Sequence, residues 1–359
     1  MARGQTFSHE RIRRTDPTTG RDVLQLTSFP LPSTHLAYYY TCPTNGFAAD
    51  SRTIVFLSRR SGDRHAPWDL FRVDVDGANL AQVSDRDHVG GIALSPTRRL
   101  TYYYHAGSLF TCHLDTFEER EVVHEEIGRP AWRDGSLPGQ NVRAGYLSPD
   151  ERWYFIRSMD PRGHEILIRH ATDGTDTRIL PMGERLKPQS IDLLGRGMVV
   201  TVLEGERRAF RIMDFDGNLH LRYGTNVFAH SCPLGKTGLW QGCAMYPRRA
   251  ILTLAEGQED ASALVEGAYF WHSSGSLDGE WIIADTNWPN EGLQLVNVNT
   301  RRYRTLVHPQ NSAGHPQPTH AHPLLSPDAR YVAFNSDWTG IPQVWVMEIP
   351  GALRAELRT

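Results

Sequence analysis

Apolar and polar positions alternate with a period of two along most of this 359-residue chain, in short runs bounded by turn residues. A helical pattern is nearly absent, because no long stretch keeps apolar positions at i, i+3, i+4 and i+7 without a glycine or proline breaking it. The clearest unit reads SPDARYVAFNSDWTGIPQVWVMEIPG (326–351): a Ser-Pro-Asp turn, an alternating strand, a polar hairpin loop, a second alternating strand and a closing glycine. The same order recurs as AADSRTIVFLSRRSGDRHAPWDLFRVDVDG (48–77), SPTRRLTYYYHAGSLFTCHLDT (95–116) and SPDERWYFIRSMDPRGHEILIRHATDG (148–174). Weaker copies are LGRGMVVTVLEGERRAFRIMDFDG (194–217), PRRAILTLAEG (247–257) inside a degraded fifth unit, and LDGEWIIADTNWPNEGLQLVNVNT (277–300).

With Gly77 and Gly351 as the first and last closing turns, the units repeat about every 46 residues, the period of a propeller blade. Seven blades result. A four-stranded blade cannot bury both faces alone, so the units pack radially and the ring needs closing by the two chain ends. The segment VLQLTSFPLPSTHLAYYYT (23–41) stands before the first full unit as the closing strand. The expected architecture is therefore an all-β, seven-bladed β-propeller in one domain over 1–359. Residues 1–22 are expected as an N-terminal extension, 23–351 as the blades and 352–359 as a C-terminal tail.

Composition narrows the function. Thirty-eight Lys and Arg against 41 Asp and Glu give a net charge of −3, too little positive charge for an extended phosphate-binding surface, so no nucleic-acid partner is expected. All of the positive residues except Lys187 and Lys236 are arginine, a bias spread over the whole chain, so arginine identity alone singles out no position. The polar start MARGQTFSHERIRRTDPTTG has no signal-like apolar core, and no later run is long enough to span a bilayer, so a cytoplasmic protein without a membrane partner is expected. The four cysteines (Cys42, Cys112, Cys232, Cys243) form no CxxC pair, which points to reduced thiols rather than a disulfide framework.

The chemistry gathers near the C-terminus. His320-Ala321-His322 precedes the strand and turn PLLSPD, where a blade feeds its innermost strand toward the axis; read as extended chain, it places both imidazoles on one face. Two such rings can share one divalent metal, and Gln317, across Pro318, can bring a neutral amide oxygen to the same point. A lone H-x-H arises easily in a chain with 16 histidines. What raises this one is repetition: His272 in WHSSGSLDGEWIIAD (271–285) and His230 in FAHSCPLGKTG stand at the corresponding places one and two blades earlier.

Gln317, His320 and His322, as Q-x-x-H-x-H, together with the upstream His272, resemble the oligogalacturonate lyases, polysaccharide lyases built on a seven-bladed propeller with manganese at its axis. The resemblance covers most of the chain at the level of repeats. It implies a manganese site on His272, Gln317, His320 and His322, with His230 as the Brønsted base. It also implies a catalytic arginine at Arg208 in RRAFRIMDFDG, with Arg207 and Arg211 as neighbouring alternatives and Arg211 able to bind substrate. The fifth unit departs from the family pattern, reading Leu254-Ala255-Glu256-Gly257 where the family has His-Glu-Gly.

The implied substrate is an acidic oligosaccharide from pectin, cleaved by β-elimination. The C5 proton of a uronate is weakly acidic because the adjacent carboxylate is already anionic. A divalent cation held by neutral ligands keeps its full charge to neutralise that carboxylate, and an imidazole near neutral pKa can take the proton. The competing readings are a lyase for another uronate-containing glycan, and a non-catalytic TolB-like propeller that binds a peptide or protein and needs no metal. A propeller serving a serine peptidase would be joined to a hydrolase region with G-x-S-x-G, which this sequence lacks.

Overall fold

The computed structural model describes residues 2–36, 46–60, 67–86, 89–124, 145–160, 165–180, 182, 186–225, 227–314 and 317–359. Seven antiparallel sheets form seven blades. Six have four strands in sequence order, and the seventh is completed from both chain ends. The repeated sequence unit corresponds to the second and third strands of each blade, for example Thr53–Ser58 with Asp69–Asp74 and Tyr331–Ser336 with Gln343–Glu348. Those strands are apolar on both faces because each blade is covered on both sides. In blade 1, Val55 packs toward blade 2 while Ile54 and Phe56 pack toward blade 7.

The same rule holds round the ring, with one apolar cluster at each junction between neighbouring blades. The first strands of blades 2 to 7 lie against one another in succession, which puts them at the axis. Because strand direction alternates, the start of every first strand and the hairpin between second and third strands open on the same face of the ring.

The closing segment is shorter than expected from the sequence. Asp22–Gln25 pairs with the last strand, Leu24 opposite Val346 and Gln25 opposite Trp345, whereas Ser33–His35 is already the innermost strand of blade 1. Residues 37–41 of that segment lie outside the described residues. The extension expected over 1–22 is corrected in part: Ile12–Thr15 pairs with Asp22–Gln25 as a fifth strand of blade 7. The tail is also structured, since Gly351–Arg358 is a helix that buries Leu353 and Leu357 against Trp281. The fifth unit, degraded as sequence, is a complete blade of Phe228–Pro233, Trp240–Ala244, Ala250–Leu254 and Ser262–Glu266.

Among the described cysteines, Cys112, Cys232 and Cys243 are buried. No helix among the described residues is long and apolar enough to cross a membrane.

Candidate metal and proton-transfer site

Blades 5 and 6 place His230 and His272 by the same device. Each is the third residue of a first strand, Phe228–Pro233 and Phe270–Gly275. In each, the register slips by one residue at that point: Phe228 faces Ala244 but Ser231 faces Gly242, and Phe270 faces Thr286 but Ser273 faces Ala284. An extra residue in one strand bends it and re-aims the side chains at the bulge. The two rings come together, with centroids 4.4 Å apart. Gly242 makes room for the first bulge, since a Cβ there would lie 2.5 Å from the His230 carbonyl oxygen.

Blade 7 delivers its pair differently, and the reading of His320-Ala321-His322 as extended chain is corrected. Gln317–Thr319 is a single 3₁₀ turn, and the first strand starts only at Leu324. His322 adopts φ +43°, a left-handed conformation that is unusual for a non-glycine residue. Buried groups hold this turn. The Ala321 carbonyl accepts the Asn335 backbone N–H at 2.9 Å and lies 3.3 Å from Nε2 of His35, while the Asn335 side chain accepts the His35 N–H at 3.1 Å.

The result is a cluster in which one ring nitrogen from each of His272, His320 and His322 lies within 4.8 Å of the others. Centroid separations are 4.0 Å for His272 with His322 and 5.6 Å for His320 with either. Behind it stands Asp285, at the end of the apolar strand Trp281–Thr286. Its carboxylate accepts Nδ1–H of His272 at 2.8 Å and the backbone N–H groups of His272 and His322 at 2.7 and 3.2 Å. With Nδ1 of His272 protonated, its lone pair is on Nε2. His322 Nδ1 lies 3.3 Å from the His320 carbonyl, which sets the same tautomer. His320 is reversed: Nε2 lies 3.0 Å from the Gly314 carbonyl, and Nδ1 is buried without a hydrogen-bond partner among the described residues.

Converging imidazoles with one unsatisfied buried nitrogen fit a divalent metal of the manganese, iron, nickel or zinc group. Gln317 opens the 3₁₀ turn, but its side chain lies outside the described residues.

Burial sets the protonation states. It pushes the imidazoles of His272 and His322 well below their ordinary value, aided by repulsion among the clustered rings, so both rings are neutral at neutral pH. Burial also lowers His230, against the opposing pull of its hydrogen bond to the Trp271 carbonyl and of Asp285. Nδ1 of His230 lies 2.5 Å from that carbonyl, so in the matching tautomer the basic lone pair is on Nε2. Burial raises the Asp285 carboxyl, with the neighbouring His322 and the backbone N–H donors offsetting part of the rise.

The arginines stand apart. Arg208 is exposed at the start of the third strand of blade 4, opposite Leu203, and its side chain makes no hydrogen bond or ion pair among the described residues. Arg207, beside it, is exposed too. Arg211 is tied within its own blade, 3.4 Å from Glu204 and donating to the His220 carbonyl at 3.0 Å. Among the described residues, no hydrogen bond or ion pair joins any of the three to the histidine cluster. Asp285 escaped the sequence reading because one aspartate ending an apolar strand looks like a turn residue. Its only signal is a carboxylate where the matching position of blade 5, opposite the bulge, is Cys243.

No family model matches the chain. The oligogalacturonate lyase of Dickeya dadantii (strain 3937) is 23% identical to it over an alignment of 399 residues that covers 98% of this chain and all of that one. An oligogalacturonate lyase solved in complex with manganese superposes with a TM-score of 0.78 at 16% identity, over 99% of this chain and all of the other. A second, from Vibrio parahaemolyticus, gives 0.77 at 15% identity over 98% of this chain. The resemblance read from the histidine motif thus extends over the full length, and the seven-bladed fold is shared.

Proposed function

We propose that the chain is a lyase that cleaves oligogalacturonides by β-elimination, with His230 as the base and a divalent metal, manganese by analogy with the relative solved in complex with it, on His272, Gln317, His320 and His322. The observation that carries this reading is the contact of the His230 ring with that of His272. It sets a neutral imidazole beside the three-histidine cluster, where a base and a carboxylate-binding cation must both reach one sugar ring. The full-length similarity to oligogalacturonate lyases supports it.

When bound, the metal would supply positive charge to the uronate carboxylate and so acidify C5–H. The residues of the chain do the rest. The Trp271 carbonyl fixes the ring of His230 through Nδ1, and Nε2 takes the C5 proton. As the C5–H bond breaks, the C4–C5 double bond forms and the C4–O4 bond breaks. O4 leaves on the shortened saturated oligosaccharide and takes up a proton from water, and a 4,5-unsaturated uronate remains at the new non-reducing end. Arg208, exposed and without an ion pair among the described residues, suits an incoming carboxylate better than Arg211, whose guanidinium Glu204 already holds.

The test is the ultraviolet absorbance of the unsaturated product when metal-loaded protein meets galacturonate oligomers. Product formation should stop on chelation and in His230→Asn. Absence of product from galacturonate oligomers, with product from glucuronate or mannuronate oligomers, would transfer the same elimination to another uronate glycan. Absence from all three sinks the lyase reading.

A further inference from the structure

The three most exposed large apolar side chains among the described residues are Tyr246 (78%), Trp288 (67%) and Met245 (60%). They come from blades 5 and 6, at corresponding hairpins between the second and third strands, both with a proline after the aromatic residue. That is the face on which the first strands begin, hence the face of the histidines. Water-exposed aromatic rings lose the free energy that burial would supply, and fold stability does not account for two of them at equivalent loops. Trp288 also sits at φ +48°, a conformation unfavourable to a bulky residue.

These rings are continuous with the site. Trp271 packs edge-on against His230 at 5.2 Å and against Trp288 at 5.2 Å, Tyr269 stacks on Trp288 at 6.2 Å, and Tyr246 stands perpendicular to Tyr269 at 6.0 Å. Trp288 is therefore two ring contacts from His230, the reach of a sugar unit beside the one being cleaved. Arg249, three residues beyond Tyr246, is exposed and has no ion pair among the described residues.

We infer that Trp288 and Tyr246 form a stacking shelf for a galacturonate ring flanking the cleaved unit, with Arg249 available to its carboxylate. The inference rests on the proposed substrate class. A galacto-configured ring has an axial O4, so its opposite face presents the C–H bonds of C3, C4 and C5 together. That face carries partial positive charge and complements the negative face of an aromatic ring. Arg249 supplies the cation that an uncharged sugar would not need.

Binding of trigalacturonate to the full-length protein, followed by tryptophan fluorescence and by calorimetry, tests this without requiring turnover. Trp288→Ala and Tyr246→Ala should each weaken binding about three- to tenfold, and Trp288→Phe should recover much of the loss. Where product forms, the change should fall on KM rather than kcat, and metal content should not move. Unchanged affinity in the double variant Tyr246→Ala/Trp288→Ala overturns the shelf, as does a change in oligomeric state, which would mark a face between copies of the chain. Wild-type protein that binds the trimer through Trp288 yet makes no product leaves the shelf standing and removes the lyase reading. Wild-type protein that binds no uronate oligomer overturns both.

Discussion

Asp285 holds His272 twice, through Nδ1 at 2.8 Å and through the backbone N–H at 2.7 Å, and reaches across to the His322 N–H at 3.2 Å. One carboxylate thus orients a ring from blade 6 and a backbone turn from blade 7. Substituting Asp285→Ala should leave the three imidazoles in place as donors but lower metal affinity about 10- to 100-fold, the usual effect of removing a carboxylate behind a metal-bound histidine. Metal titration of the purified variant checks this; unchanged affinity would mean that the histidines are oriented without it.

His230 is below the ordinary histidine value of 6.5 because it is buried. A base works unprotonated, so activity should persist as pH falls through the usual histidine range and decline only below it. The acid limb of kcat/KM against pH reads this directly, and a limb at or above 6.5 contradicts it. In His230→Asn, turnover should fall about 10²- to 10⁴-fold while metal stays bound.

Gly242 tests the bulge. A methyl group there would meet the His230 carbonyl oxygen at 2.5 Å and Ser231 Cβ at 2.8 Å, so the strand carrying His230 must shift. Gly242→Ala should destabilise the fold by about 1–3 kcal/mol and lower turnover beyond what that loss explains, with metal content retained. Wild-type turnover in a folded variant would show that the bulge has slack.

His170, far along the ring in blade 3, is fully buried and stacked on Tyr104 and Tyr154. Burial lowers it from 6.5 to about 4. The unfolded chain therefore binds a proton between these values that the folded chain refuses. Stability contributed by the neutral ring is complete above pH 6.5 and is lost as pH falls toward 4, by about 3 kcal/mol in all. Denaturant unfolding of His170→Phe should show a shallower loss over that window than wild type, with His35, lowered to about 4 as well, supplying part of what remains.

The blades were legible where a strand is long and its turn chemical. Ser326 donates to Asp328, whose carboxylate accepts the Arg330 N–H, and Ser148 with Asp150 and Ser276 with Asp278 repeat the arrangement, which is why Ser-Pro-Asp and Leu-Asp-Gly marked the hairpins. The first strands of blades 3 and 7 were not legible, since Tyr146–Leu147 and Leu324–Leu325 have two residues each and no period shows in so few. Ile12–Thr15 reads as polar because as the outer edge of blade 7 it has little apolar surface to bury. The histidines of the site were found by their recurrence at matching places, yet the geometry at His320 and His322 came from a left-handed turn that alternation does not predict. Asp285 could be recognised only once the opposing strand was in place.

The blade that carries His320 and His322 is completed by Asp22–Gln25, from the opposite end of the chain. During synthesis this early strand must wait for the last one, Gln343–Glu348, and the histidine cluster cannot assemble before the final blade has been made. A truncated or stalled product would then have His230 and His272 without a working centre, so incomplete chains would be catalytically silent.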